Sequence, residues 1–291
     1  MVEIGSKYIG RSVARREDKR LLRGEGTFVG DMKIQGMLHV GIARSQLPHA
    51  YIKSVNLSAA SALDGVHVAL SGKDLKDELP PINGMQVSAP QGWRDGMEPS
   101  IEIPDQNLLP HDKVRFVGEP YALVVADNRY TAEDAIELID AKFDPLQPIN
   151  DAQTALNSDA DLIHETLGQN IAATLHAKKG DGAAAIERAQ KRLKRKFFHH
   201  RYAGMPLECR GVLADYDSRT DSLTVWSSTQ VVHWVRREIS AALKMPEERI
   251  RVIAPDVGGG FGVKGHVYPE DILIAYLAKR LCHPIKWLED R

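Results

Sequence analysis

Between a strand-like run at 249–253 and a helical pattern over Pro269–Leu281 lies Asp256-Val257-Gly258-Gly259-Gly260-Phe261-Gly262-Val263-Lys264-Gly265, with five glycines in the eight positions from 258 to 265. Glycine has no Cβ, so its backbone can turn through positive φ and bring amide N–H groups close to a ligand. Successive amides in such a turn form an anion-binding nest suited to phosphate or an oxo group. Phe261, flanked by glycines, is presented rather than simply packed. Pro269 suits the first helical turn, and Pro284 follows the helix end. A strand, a glycine turn and a helix in close succession call for a chain that mixes sheet and helix.

Two nucleotide motifs are excluded or weakened here. Gly260, Gly262 and Gly265 satisfy GxGxxG, but the dinucleotide fingerprint needs a helix opening directly on the glycines. His266, Val267, Tyr268 and Pro269 delay that helix. The P-loop pattern fails, because Val263 precedes Lys264 and Gly265 stands where Ser or Thr belongs. On local composition alone, a purely structural glycine turn is the plainer alternative.

Upstream, the first ~20 residues are rich in arginine and lysine and read as a surface arm, residues 1–20. Alternation at 38–42 marks a half-buried strand. Ser58 is expected to cap a short helix through Leu63 that Gly65 closes, and a strand returns at 66–70. Residues 76–112, rich in proline and glycine, form a long covering excursion. Residues 121–126 read as a buried strand, and Thr131 with Asp134 resembles a capping box. These elements make an α+β domain over 21–145, followed by a connector over 146–180. The unit over 181–291 begins with a basic run, Arg188 to Arg201, read as a solvated edge or a surface facing an acidic partner. A hairpin follows at 212–216 and 223–226, then a helix whose apolar positions run from Val231 to Leu243.

The 291 residues allow about two domains. With 38 basic and 39 acidic side chains and 43% apolar residues, the chain is neither a disordered sequence nor a globally basic nucleic-acid binder. No apolar run reaches the ~18 residues needed to span a bilayer, and the N-terminus lacks a signal-peptide core. A soluble, cytoplasmic protein is expected. Two cysteines, Cys209 and Cys282, with no CxxC unit argue against a disulfide scaffold, a zinc ribbon or an iron–sulfur cluster in this chain.

The glycine-phenylalanine loop Gly258-Gly259-Gly260-Phe261-Gly262 resembles that of the molybdenum hydroxylases, the xanthine dehydrogenase, aldehyde oxidase and carbon monoxide dehydrogenase family. Further segments match in the same order: Gly10-Arg11-Ser12-Val13 with Arg16-Glu17-Asp18; residues 31–42 and Arg44-Ser45; Val114-Arg115-Phe116-Val117-Gly118-Glu119-Pro120; Arg201-Tyr202-Ala203-Gly204-Met205-Pro206-Leu207-Glu208; and Trp226-Ser227-Ser228-Thr229-Gln230. The resemblance implies the N-terminal part of a molybdopterin-binding large subunit: an α+β hammerhead domain, then the first part of a molybdenum-cofactor-binding α/β domain.

Gln230 matches the family glutamine whose amide approaches an apical oxygen ligand of molybdenum without ligating the metal; taken alone, it would read as a helix cap before Val231. Gly259, Gly260, Phe261 and Gly262 match the loop that contacts the cofactor. The resemblance further implies molybdopterin cytosine dinucleotide with molybdenum, shared with a C-terminal portion of the subunit, and an iron–sulfur small subunit with [2Fe–2S] clusters and an FAD-binding medium subunit as partners. The complete enzyme would hydroxylate an aldehyde, N-heterocycle or related small substrate with water-derived oxygen. Purine-oxidising members carry a substrate-binding glutamate where this chain has Gly265, so a purine is disfavoured. The family's catalytic glutamate lies near the C-terminus of a subunit more than twice this length, so no catalytic residue is assigned. Ending at Arg291 implies a natural split subunit or a truncated gene, inactive alone. A noncatalytic assembly module of the same fold is the alternative, and a nucleotide-binding domain a remoter one.

Other groups receive plainer readings. His199 and His200, adjacent on a strand, would face opposite ways and read as surface polar residues. Cys209 and Cys282 are expected to be buried, and Glu208 to pair with Arg210.

Overall fold

A computed structural model describes residues 9–83, 100–101, 104–157, 159–174 and 179–291. Its main feature is a seven-stranded mixed sheet. Three of its strands come from the first half of the chain: β1 (Leu38–Arg44), β3 (Val66–Ser71) and β5 (Pro120–Ala126). The others are β7 (Gly211–Asp217), β8 (Ser222–Ser227), β9 (Ile250–Ile253) and β10 (Ile285–Leu288). The order is β9-β8-β7-β10-β1-β5-β3. A second sheet, β4-β2-β6, joins Lys113–Val114, Ala50–Asn56 and Asp140–Pro145.

The two halves meet where β1 runs parallel to β10, pairing Leu38 with Ile285 and His39 with Lys286. The Lys286 side chain, almost fully buried, donates to the carbonyls of Gly30 and Met32 at 2.7 and 2.8 Å, which ties the segment before β1 to this seam. The units expected over 21–145 and 181–291 therefore contribute to one sheet.

Local sequence explains most elements. In β5 the run Ala122 to Ala126 is buried throughout because its neighbours β1 and β3 leave it central and helix α4 (Arg129–Glu137) covers one face. Gly41 in β1 permits that cover: a Cβ there would lie 2.9 Å from the Ala132 carbonyl oxygen. Helix α7 (Pro269–Leu281) packs on β7, with Ile272, Leu273, Ile274 and Leu277 at most 2% exposed. Each such side chain contributes about 1.5–3 kcal/mol by burial. Helix α6 (Val232–Leu243) turns Val235, Ile239 and Ala242 inward and contacts α7.

Several boundaries differ from expectation, each for a local reason. Helix α4 is capped by Asn128, whose side chain accepts from Thr131 N at 3.0 Å, so it starts before the expected capping box. Helix α2 (Ser58–Ser61) contains Ser58, and Asn56 receives the Ser58 amide instead. Around the short helix α5 (Gly182–Arg188), the basic run was expected to lie at an edge and is exposed. Residues 192–206 form no strand, so His199 and His200 sit on irregular exposed chain rather than on alternating faces. Five of the six residues at 191–196 are lysine or arginine, and the lone apolar one, Leu193, stays exposed, so there is no apolar face to bury. Of the excursion expected at 76–112, residues 84–99 and 102–103 fall outside the described residues.

Candidate functional site

Strands β8 and β9 are parallel, with Leu223 opposite Ile250 and Trp226 opposite Ile253. Parallel pairing brings their carboxyl ends to the same sheet edge, the position at which open α/β sheets bind ligands. From β8 the chain continues through Ser228 and Thr229 to Gln230; from β9 it continues into the glycine cluster. The two segments are bonded together. Gln230 N donates to Lys264 O at 2.8 Å, Thr229 Oγ1 to the same carbonyl at 3.3 Å, and Gly262 N to Gln230 Oε1 at 3.1 Å.

Because Gly262 N is a donor, the Gln230 atom facing it must be the oxygen. The exposed Gln230 Nε2 is thereby left with no acceptor among the described residues. Helix capping is not the role of Gln230: Val231 is the N-cap of α6, no side chain caps that helix, and the Val231 amide goes to Thr229 Oγ1.

The loop changes hand repeatedly. Gly259, Phe261 and Gly262 have φ of +101°, +48° and +82°. Positive φ is costly for an aromatic residue, and Phe261 holds it while its side chain is 77% exposed. The amides of Gly259, Gly260 and Phe261 have no acceptor among the described residues. Gly260 must be glycine for a different reason, since a Cβ there would lie 2.5 Å from Gln230 Oε1. Together the loop and Gln230, joined by the Gly262–Gln230 bond, offer neutral N–H donors of the kind that make an anion-binding nest.

Charged groups hold the base of this loop. Arg20 grips Asp256 with two hydrogen bonds of 2.6 and 2.7 Å, and Thr27 N adds a third at 2.8 Å. Led by the Arg20 bonds, these contacts hold the Asp256 carboxyl well below the usual carboxylate range. Glu208 Oε2 accepts from Gly258 N, Ser228 Oγ and Lys264 Nζ at 2.7, 2.7 and 2.8 Å. The expected Glu208–Arg210 pairing is corrected: Arg210 lies beyond reach in a second cluster, 3.2 Å from Glu270 and 2.5 Å from Glu289. Its guanidinium stacks 3.9 Å from the Tyr268 ring centre. Arg44, from β1, also bonds Glu270 at 2.5 Å.

Burial alone would push the Glu270 carboxyl up, but Arg210 and Arg44 more than offset it and bring it below the usual range. Its neighbour Asp271 accepts from Ser227 Oγ at 2.7 Å and Tyr268 N at 3.0 Å, yet burial pushes it up to about 6.

Among the described residues no cluster of three His, Cys, Asp or Glu side chains could hold a bare metal ion. A group bound at the loop would have to be anionic or oxo-bearing and bring its own metal ligands, which suits the donor set present. Cys282, expected to be buried, is exposed at the end of α7 with φ +52°, and Cys209 is half-buried. The glycines do not open a helix, since Tyr268 is the residue before α7.

Residues 23–147 match the aldehyde oxidase and xanthine dehydrogenase a/b hammerhead domain, and residues 163–291 match the molybdopterin cofactor-binding domain. The chain is 37% identical to the nicotine 6-hydroxylase large subunit of Paenarthrobacter nicotinovorans, over 99% of this chain and 34% of that protein. It is 36% identical to subunit gamma of the 6-hydroxypseudooxynicotine dehydrogenase complex of the same organism, over 98% of this chain and 35% of that one. The crystal structure of quinoline 2-oxidoreductase from Pseudomonas putida 86 superposes with a TM-score of 0.85 at 35% identity, covering 97% of this chain and 34% of that one.

The chain belongs to the molybdenum hydroxylase large-subunit family. It combines that family's hammerhead domain with its molybdopterin-binding domain, as the resemblance implied. It spans about a third of the length of the relatives just described. Within this family frame, sequence reading singled out Gln230 and the loop from 259 to 262, and the structure brings them into contact. It missed Arg20, Glu208 and Lys264 as anchors of the loop. Lys264 stood in the glycine motif, but its partner lies 56 positions away and leaves no local period.

Proposed function

We propose that this chain forms the cofactor-binding part of a molybdenum hydroxylase that oxidises an aldehyde, N-heterocycle or related small substrate with water-derived oxygen. The reading is supported by one observation above others: Gly259, Gly260, Phe261 and Gln230 present N–H donors without acceptors, and no carboxylate competes for them. The cofactor, when bound, would supply the redox chemistry.

The chain's own residues bind and orient. Gly259, Gly260, Phe261 and Gly262 would hold the cofactor through the loop backbone, and Gln230 Nε2 would face its metal-bearing end as a neutral donor. A carboxylate at position 230 would repel an oxo group. Phe261, strained and exposed, would cover the bound group and exclude water. Nicotine and quinoline, in the names of relatives, are N-heterocycles and favour that substrate class. Gly265 at the glutamate position of purine-oxidising members disfavours purines. No general base is assigned within this chain, which would be inactive alone.

The same reading includes the cytosine dinucleotide form of molybdopterin, the remaining length of the large subunit, an iron–sulfur subunit with [2Fe–2S] clusters, an FAD-binding subunit and a cytoplasmic location. Among the described residues no helix is long and apolar enough to cross a membrane. The test is to isolate the native complex through a tag on this chain, release its cofactor with acid, and measure molybdenum and nucleotide. Molybdenum with a cytosine nucleotide is expected. A complex that assembles without molybdenum would favour the noncatalytic assembly module.

A further inference from the structure

We propose that the Glu208–Lys264 ion pair is a positioning unit that sets the distance between Gln230 and the glycine loop; this rests on the cofactor reading above. One carboxylate oxygen, Glu208 Oε2, gathers donors from both sides of the site. Gly258 N opens the loop, Lys264 Nζ comes from its far end, and Ser228 Oγ belongs to the segment leading to Gln230, at 2.7, 2.8 and 2.7 Å. Glu208 N also donates to Gly258 O at 3.2 Å, so the main chains are joined too. Lys264 acts a second time through its carbonyl, which takes the Gln230 amide at 2.8 Å. Both ends of the proposed cradle thus run through these two residues.

The chemistry is unusual for a mere filler. The Lys264 side chain is 0% exposed, and Glu208 Oε1 is buried with no hydrogen-bond partner. Buried charge is costly unless paired, and an unpaired buried oxygen adds to that cost. Apolar side chains would close this space without either penalty, but they slide over one another. A charge pair with three donors on one oxygen tolerates no slip, because any displacement leaves both charges uncompensated. Close approach at Gly258 adds to the constraint, since a Cβ there would fall 2.5 Å from Glu208 Cβ. The bonds of Glu208 and Lys264 go to Ser228, Thr229, Gly258, the Gln230 amide and each other and to none of the free donors, so the role is positioning rather than catalytic.

Glu208→Gln tests this with little change of shape. Its amide oxygen can keep the three donors, and its NH2 replaces the oxygen that has no partner. The native complex, tagged on this chain, is compared with the variant by molybdenum per chain, and by hydrogen exchange of the peptide over 256–265 after the cofactor is stripped. The peptide over 120–126 serves as the stability control. The variant should exchange about tenfold faster at 256–265 and retain about tenfold less molybdenum, with 120–126 unchanged. If an unpaired Lys264 prevents folding, the double variant Glu208→Gln with Lys264→Met is read instead, and the same loop-specific changes are expected. Unchanged exchange and unchanged molybdenum would overturn the proposal. Exchange rising equally in both peptides would also overturn it, as the mark of a purely structural pair. Wild-type complex without molybdenum would overturn the cofactor reading, and this inference with it.

Discussion

At the start of α7, Glu270 faces Arg44 and Arg210, and Asp271 faces Ser227 and the Tyr268 amide, so both buried carboxyl groups meet donors from the chain. Four residues before that helix the glycine cluster ends, and there the amides of Gly259, Gly260 and Phe261 meet no acceptor among the described residues. The first region joins strand β1 of the hammerhead domain to α7 of the cofactor-binding domain. Its charges are matched because they hold the fold. The second is supported from below by matched charges, Arg20 with Asp256 and Lys264 with Glu208, while its upper surface stays unmatched. Matched polar groups answer to stability and unmatched donors to a ligand, so substitutions in the two regions should separate along those lines.

The largest effect on stability is expected at Glu270. Glu270→Gln leaves two guanidinium groups around a neutral buried side chain and should cost about 3–5 kcal/mol in urea denaturation. A loss near zero would break the comparison.

A smaller effect belongs to Asp271, and its sign is set by pH. Burial pushes this carboxyl up to about 6, so the folded state holds the proton more tightly than the unfolded chain. The favourable contribution is fully present below the unfolded value of about 4 and is lost as pH rises through about 6. The stability of wild type relative to Asp271→Asn should therefore fall by about 2–3 kcal/mol between pH 4 and pH 7. A flat difference would show that Asp271 stays ionised throughout.

In the loop, the stability effects shrink while binding effects grow. Gly262 sits at φ +82° with open space around its Cβ position, so Gly262→Ala costs only backbone strain, about 1 kcal/mol by thermal unfolding. Phe261→Ala removes an exposed ring and should alter stability by less than about 0.5 kcal/mol, yet lower molybdenum retention severalfold by elemental analysis.

How much was legible in the sequence follows the range of the interactions. The β7–β8 hairpin showed as alternation around the turn at 217–222, and Pro269 and Pro284 bracketed α7; both depend on neighbours in the chain. The seam between β1 and β10 pairs residues 38 and 285, and such a contact leaves no periodic trace. Adjacent positions can also diverge: Glu208 and Arg210 flank one residue yet serve different clusters, because Glu208 turns to the loop and Arg210 to the base of α7. At the site, glycine spacing and the resemblance pointed to Gln230 and the loop from 259 to 262. The anchors beneath them required the fold.

The central claim is that the unmatched donors form a cofactor cradle whose shape depends on Gln230 lying against a glycine. Gly260→Ala tests it most directly. The three atoms nearest the added Cβ all belong to the exposed Gln230 side chain, so the fold should survive while Gln230 is pushed aside. The decisive measurement is molybdenum per chain in the native complex of wild type and Gly260→Ala, prepared side by side. The account predicts a metal-loaded wild type and a folded variant with about tenfold less molybdenum. Equal molybdenum in the two proteins would contradict it.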